Sequence, residues 1–265
     1  MLATLLDLTE GEALPLPRAL AERYGGPLRL PSRHVFANFV STIDGVVSFA
    51  LPGRSQASLI SAGHPADRFV LALLRAAADA VIVGAGTLRE EPDVVWSPEA
   101  AYPEAGGAFA ELRAAMRRPA RALTVLVSAS GEIDLRVPAI VEGAPLVIAT
   151  TRRGAARLAT APRHVRVRVM TRGATDEIIA IAAEGSGGDR ILTEGGPTLF
   201  GQFVRERTLD ELFLTVAPRI AGRSEDERRT SLVERAAFAP DDLRGARLLA
   251  VKRADDYLML RFAMR

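Results

Sequence analysis

The stretch Arg190-Ile-Leu-Thr-Glu-Gly-Gly-Pro-Thr-Leu-Phe-Gly-Gln-Phe-Val204 decides how this chain is read. An apolar run ends there in a polar, glycine-rich turn, and a helix begins. Ile191 and Leu192 suit a buried strand, Gly195 and Gly196 allow a sharp bend and close approach to a ligand, and Pro197 suits a first helical turn, where its missing N–H costs nothing. Such a helix start offers unpaired N–H groups and a partial positive charge, and phosphate suits both. Taken alone, the stretch reads more readily as an ordinary strand-to-helix turn.

Outward from that turn, the 265 residues are 48% hydrophobic and 25% charged, enough to bury a large core in one large or two small domains. The net charge is only +2, and Lys252 is the sole lysine. Arginines cluster locally at 113, 117, 118 and 121 and again between 152 and 168, which fits solvated faces or anion contacts better than a nucleic-acid surface. With no cysteine, disulfides, thiolate metal sites and thiol nucleophiles are excluded. His34, His64 and His164 have no metal-ligand spacing, so no metal is expected. No signal-peptide pattern opens the chain and no apolar run is long enough to span a bilayer, so the expectation is a cytoplasmic protein without membrane contact.

Residues 1–33 are acidic and proline-punctuated, with one short helical candidate over 17–24, and read as an N-terminal extension; residues 34–265 read as the main domain. The β-branched and aromatic run 34–41 predicts the first strand, Asp44-Gly45 a turn, and 46–47 a short strand. A loop is expected over 51–62. Ala66, Phe69, Val70, Leu73, Leu74 and Ala77 follow helical spacing, and the apolar run 79–84 suits a parallel strand. Loops are expected from 84 to 107, then a helix over 109–118, strands 123–127 and 146–150, a short helix to 158, a strand 165–170 and a helix 175–183 capped by Thr175 or Asp176. After the opening stretch come a strand 212–216, a charged loop 223–229, and a hairpin of 246–253 with 256–264 turning at Ala254-Asp255. Strands alternating with helices and closed by a hairpin imply an α/β fold with a mostly parallel central sheet, helices on its faces and an antiparallel C-terminal hairpin.

Two strand ends thus carry glycine-rich turns, Gly84-Ala-Gly-Thr87 and Glu194-Gly-Gly-Pro-Thr198, and a parallel sheet can bring both to its carboxyl edge. Neither is a dinucleotide fingerprint or a P-loop. Together with Asn38-Phe-Val-Ser-Thr-Ile-Asp-Gly45, Asp79-Ala-Val-Ile-Val-Gly-Ala-Gly-Thr-Leu-Arg89, and Asp210-Glu-Leu followed by Ala217-Pro218, they make residues 34–264 resemble the riboflavin-pathway pyrimidine reductases. That resemblance implies a dihydrofolate-reductase-like fold and a homodimer. It also implies NADPH-dependent reduction of the ribosyl group of a diaminopyrimidine phosphate, a small heterocyclic and phosphorylated substrate. The zinc deaminase that precedes this domain in bifunctional relatives has no counterpart, because its His-x-Glu and Pro-Cys-x-x-Cys signatures are missing.

By the same resemblance, the cofactor is assigned to Val40, Gly84, Gly86, Thr87, Glu91, Gly195, Gly196, Pro197, Thr198, Leu199 and Phe200. The substrate is assigned to Ser58, Arg75 and Glu194, with Arg75 on its phosphate, and catalysis to Asp44 and Glu194. No nucleophile is required, since the cofactor supplies the hydride and the protein need only align the reactants and furnish a proton. One segment departs from the pattern. Thr87-Leu-Arg-Glu-Glu-Pro-Asp-Val-Val-Trp96 is one residue short before Pro92, and no arginine follows to meet the substrate. That departure keeps two alternatives open: reduction of dihydrofolate, a pterin or another small molecule on the same fold, and a non-catalytic NADPH-binding protein.

Overall fold

The computed structural model describes residues 1–141, 144–224 and 228–265. Continuous apolar runs become strands buried on both faces, as parallel strands require. Along β2 (Arg33–Ser41), Val35 and Ala37 point to one face and Phe36 to the other; along β4 (Ala80–Gly84), Ile82 opposes Val81 and Val83. The remaining strands are β1 (Ala3–Asp7), β3 (Val46–Ser48), β5 (Leu123–Ser128), β6 (Leu146–Thr150), β7 (Val165–Val169), β8 (Asp189–Thr193), β9 (Glu211–Val216), β10 (Thr230–Ser231), β11 (Ala246–Ala254) and β12 (Tyr257–Met264). Ten of them form one sheet in the order β1-β11-β12-β9-β2-β8-β4-β5-β6-β7, in which β9 through β7 run parallel and the β11–β12 hairpin and β1 pair antiparallel. Phe36 sits opposite Leu192 of β8, and Ile82 opposite Thr193.

The helices are α1 (Arg18–Tyr24), α2 (Gln56–Ser61), α3 (Pro65–Ala77), α4 (Ala85–Glu90), α5 (Pro98–Ala101), α6 (Gly106–Ala115), α7 (Pro138–Val141), α8 (Arg152–Arg157), α9 (Thr175–Ser186) and α10 (Pro197–Arg205). On one face of the sheet, Leu20 and Tyr24 of α1, Phe69, Leu73 and Leu74 of α3, and Phe109 and Leu112 of α6 make one core; on the other, Ile178 and Ile181 of α9 and Phe200 and Phe203 of α10 make a second. Every apolar position expected on the buried stripe of α3 from Phe69 onward is buried there. No helix among the described residues is long and apolar enough to cross a membrane.

Several elements differ from the sequence reading. Residues 3–7, read without a strand, form the sheet's edge strand β1; only one flank pairs and Leu5 is exposed, so the period-2 signal is absent. The loop expected over 51–62 contains α2, started by Ser55, whose hydroxyl accepts the Ser58 N–H at 3.3 Å, and the expected loops of 84–107 contain α4, α5 and the start of α6. Helices of four to six residues show too little periodicity to be read. Ala174 caps α9, while the Thr175 hydroxyl donates to Glu206 at 2.8 Å. The hairpin turns at Asp255-Asp256, one residue later than expected. Residues 225–227 of the expected charged loop lie outside the described residues.

At the amino end of the central strands, Glu211 accepts two hydrogen bonds from Arg261, at 2.5 and 3.2 Å, and pairs with His34 Nε2 at 2.8 Å. This buried cluster joins β9, β12 and β2, and Glu211 and Arg261 are 2% and 5% exposed. Removing one partner of such a pair leaves the other charged and unsolvated. Glu211→Ala is therefore expected to lower unfolding free energy by about 3–5 kcal/mol in urea titration, with Glu211→Gln losing less.

Candidate active site

Because β8 lies between β2 and β4, the turns that follow β8 and β4 are neighbours at the carboxyl edge. The Glu194 N–H bonds to the Ile82 carbonyl at 2.9 Å, locking the start of one turn to the strand that feeds the other. Gly196 then caps α10 and Pro197 takes its first position, as the sequence predicts. A methyl group built on Gly196 would lie 3.4 Å from the Thr87 hydroxyl, and one on Gly195 only 2.6 Å from the Leu199 side chain. Glycine is therefore needed at 195 by packing, while a methyl at 196 would just reach van der Waals contact with the Thr87 hydroxyl. The N–H groups of Gly196 and Thr198 have no acceptor among the described residues.

These turns border a cleft of about 380 Å³. Val40, Ser58, Arg75, Thr87, Glu91, Glu194, Gly195, Gly196 and Pro197, all singled out in the sequence, line it together. Glu91 sits there with its Oε1 accepting the Gln56 N–H at 3.0 Å, and burial pushes its carboxyl up from the usual range. Gly84, Gly86, Thr198 and Leu199 flank the cleft without lining it. Phe200 is a correction: its side chain is buried against Phe39, with ring centroids 4.8 Å apart, and its N–H is bonded to the Gly196 carbonyl, so it has nothing to offer a cofactor.

Two further expectations are corrected. Asp44 is exposed and outside the cleft lining. Hydrogen bonds from the Thr42 hydroxyl and the N–H groups of Ala221 and Gly222 hold its carboxyl down at about 2 and tie it to the 221–222 segment. Arg75 does line the cleft, but its guanidinium is committed. Its Nε and Nη2 donate to the two Glu194 oxygens at 2.7 and 2.6 Å, and its Nη1 donates to the Ser97 carbonyl at 3.2 Å. The pair is 5% and 10% exposed. Arg75 thus positions Glu194 and the segment before α5, with one Nη2 N–H left without an acceptor among the described residues.

The sequence reading gave Asp67 no role. It is buried, lines the cleft, and faces the hydroxyls of Thr215 on β9 and Ser61 on α2, and it has no salt bridge among the described residues. Burial raises its carboxyl to about 6, against the lowering effect of those hydroxyls and His64. One signal pointed to it: Asp67 falls three and seven residues before Val70 and Leu74, on the apolar stripe of α3. Trp96 is buried in the core beside the cleft, Gln56 closes its α2 side, and neither had a readable role in the sequence.

The match that decides the lineage spans most of the chain: residues 33–246 fit the model of the RibD C-terminal domain. The chain belongs to the RibD C-terminal domain family. Among solved structures, this RibD-type domain is similar to a pyrimidine reductase-like protein from Corynebacterium diphtheriae, with 22% identity and a TM-score of 0.67 over 93% of this chain and 98% of that one. It is also similar to Acinetobacter baumannii RibD, at 19% identity and a TM-score of 0.66, and to the riboflavin biosynthesis reductase of Saccharomyces cerevisiae, at 14% identity and 0.61 over 94% and 95% of the two chains. The likeness to A. baumannii RibD covers 88% of this chain but 58% of that protein's length. At these identities the shared feature is the fold, an α/β arrangement with a mostly parallel central sheet and a C-terminal antiparallel hairpin, as expected from the sequence. No curated protein sequence matches the chain.

Two measurements test the site's electrostatics. Arg75→Met and Glu194→Met should each lower unfolding free energy by about 3–5 kcal/mol, while the double variant loses less than the sum by about 0.5–3 kcal/mol in a double-mutant cycle. Asp67 releases its proton near 3.8 unfolded and about 6 folded, so folding takes up a proton between those values. The stabilisation this gives is complete below about pH 4 and lost above pH 6. Between pH 4 and 7 the wild type should therefore lose on the order of 3 kcal/mol relative to Asp67→Asn, read from urea unfolding across pH.

Proposed function

We propose that this RibD-type domain is an NADPH-dependent reductase that reduces the ribosyl group of a ribosylaminopyrimidine, as in riboflavin biosynthesis. The observation that carries the proposal is the meeting of the Thr87 turn and the Gly196 helix start on one wall of a cleft whose other walls hold Glu194, Asp67 and Ser58. Unpaired N–H groups at Gly196 and Thr198, at the positive end of a nine-residue helix, fit a cofactor phosphate. A bound nicotinamide cofactor supplies the hydride. The chain's own part is to align donor and acceptor, to hold Glu194 oriented against Arg75 so that it can accept substrate N–H or O–H groups, and to keep water out with the buried walls of α3 and Trp96.

The reading includes NADPH over NADH, a homodimer and a cytoplasmic location, each taken from the family resemblance. A second reading keeps the cleft and changes the substrate to dihydrofolate or another pterin. It is favoured by Arg75, most of whose donors are taken by Glu194 and backbone carbonyls instead of a substrate phosphate. A non-catalytic cofactor-binding protein gains nothing from the geometry, because Asp67 and Glu194 sit in a cleft with space for a second molecule.

Fluorescence titration should show one NADPH per chain. Gly196→Val, which fills the space beside the Thr87 hydroxyl, should weaken it about 10- to 100-fold, some 1.4–2.8 kcal/mol. Absence of binding, or binding untouched by Gly196→Val combined with Thr87→Trp, would sink the proposal. NADPH oxidation assayed against the ribosylaminopyrimidine and dihydrofolate separates the two substrates, and turnover of dihydrofolate alone favours the second.

A further inference from the structure

The reductase reading implies a phosphorylated substrate and leaves its cation unnamed. Arg75 gives most of its donors to Glu194 and to the Val95 and Ser97 carbonyls, and residues 90–96 contain no arginine. The other guanidinium in the cleft lining belongs to Arg68, near the start of α3. Its Nε donates to the Ala101 carbonyl at 3.0 Å, and its guanidinium carbon lies 5.8 Å from the centroid of the buried Tyr102 ring. Those contacts hold the group in place and leave Nη1 and Nη2 without an acceptor among the described residues. No carboxylate of the cleft forms a salt bridge with it there. Asp67, its neighbour in sequence, faces the Thr215 and Ser61 hydroxyls instead, and Glu194 is held by Arg75.

A second cation adds to the field at this end of the cleft. Arg23 on α1 donates through Nη1 to the Tyr102 hydroxyl, and its guanidinium carbon lies 5.3 Å from the centroid of the same ring. It too has no carboxylate partner among the described residues. Two cations gathered on one ring without a counter-ion favour an arriving anion, and partial burial of Arg68 weakens the screening of that attraction by water. Glu90, Glu91 and Asp93 also line the cleft, so an oriented cation decides where an anion can settle. A guanidinium fork matches phosphoryl oxygens in shape as well as charge. Arg68 and Arg75 are seven residues apart on α3, close to two full turns, so they share one helix face about 10 Å apart. That spacing suits a molecule whose ring meets Glu194 and whose phosphate sits at the far end of a ribosyl chain. The cofactor's phosphates are assigned to the Gly196 helix start, so the two anions use different helices.

We propose that Arg68 is the ligand of the substrate's phosphate: its free terminal nitrogens fork onto the phosphoryl oxygens while Arg75 holds Glu194 for the ring. The assignment rests on the reductase reading and deepens it, because it gives this chain a replacement for the arginine that residues 90–96 lack. Arg68 acts on binding and not on hydride transfer, so its loss should raise KM and leave kcat little changed.

The test uses a ribosylaminouracil and its phosphate monoester as paired probes on NADPH-saturated full-length protein, with dissociation constants from calorimetry and KM and kcat from NADPH oxidation. The wild type should bind the ester at least about tenfold tighter. Arg68→Met should weaken ester binding about 10- to 100-fold and change binding of the unphosphorylated probe by less than about threefold. Arg68→Lys, which keeps the charge and loses the fork, should fall between. An Arg68 that only anchors Ala101 and Tyr102 predicts equal losses on both probes. Equal losses, or ester binding untouched in a variant that urea unfolding shows to be folded, overturn the proposal. Should Arg68→Met fail to fold, the side-chain Nε resonance of Arg68 in the wild type decides. It should shift with the ester and stay in place with the unphosphorylated probe, and no shift with the ester overturns the proposal. In each case continued NADPH binding and oxidation leave the reductase reading standing, whereas failure of the wild type to bind NADPH removes both.

Discussion

The cleft depends on the ion pair between Arg75 and Glu194. Neither group could be buried alone, since each unpaired charge would cost several kcal/mol in lost hydration. Together they exchange two hydrogen bonds at 2.7 and 2.6 Å, and the remaining guanidinium nitrogen reaches the Ser97 carbonyl. One pair thereby joins the middle of α3, the turn after β8 and the segment entering α5. Those three pieces come from residues 75, 97 and 194, and few other polar contacts link them. The pair also decides what the cleft can recognise. It leaves a carboxylate oriented at the cleft wall, and it engages most of the donors of a cation that lines the cleft.

Sheet order supplies the second constraint. With β8 between β2 and β4, the loops leaving three successive parallel strands converge, as they do where ligands bind to α/β proteins. The Gly-Gly-Pro start of α10 and the Thr87 turn are brought within contact distance, and the helix α3 that carries Arg75 also carries Asp67 on its cleft side. At the opposite end of the same strands, Glu211, Arg261 and His34 form a second buried cluster that closes the hairpin onto the parallel region. The two clusters have similar chemistry and different surroundings: one opens on space for a ligand, the other is enclosed by packed strands.

Much of this was legible in the residues. Long apolar runs, the helical stripe of α3 and the Gly-Gly-Pro turn carry their own geometry, and the strands they predicted are the central strands of the sheet. What could not be read depended on contacts far apart in sequence. The resemblance alone assigned Arg75 to a phosphate, and nothing local reveals that Glu194, 119 residues away, holds it. The resemblance likewise assigned Asp44 to catalysis, and its bonds to residues 221–222 have no local sign in an Asp-Gly turn. Phe200 was taken with its neighbours although its place on the helix turns it into the core. Asp67 was missed because an acid in a first helical turn has an adequate local explanation, and only the packing of Thr215 and Ser61 around it shows that it is buried. Edge strand β1 and the short helices α2, α4 and α5 escaped for lack of periodicity.

Whether the Gly196 helix start and the Thr87 turn form one cofactor site is read by recording backbone amide resonances while NADPH is added. The largest shifts should fall on Gly86, Thr87, Gly196 and Thr198, with smaller ones at Val40 and Glu194 and none at the Glu211 cluster. Saturating NADPH that leaves Gly196 and Thr198 unmoved, or that shifts residues only outside this edge of the sheet, would contradict a shared site.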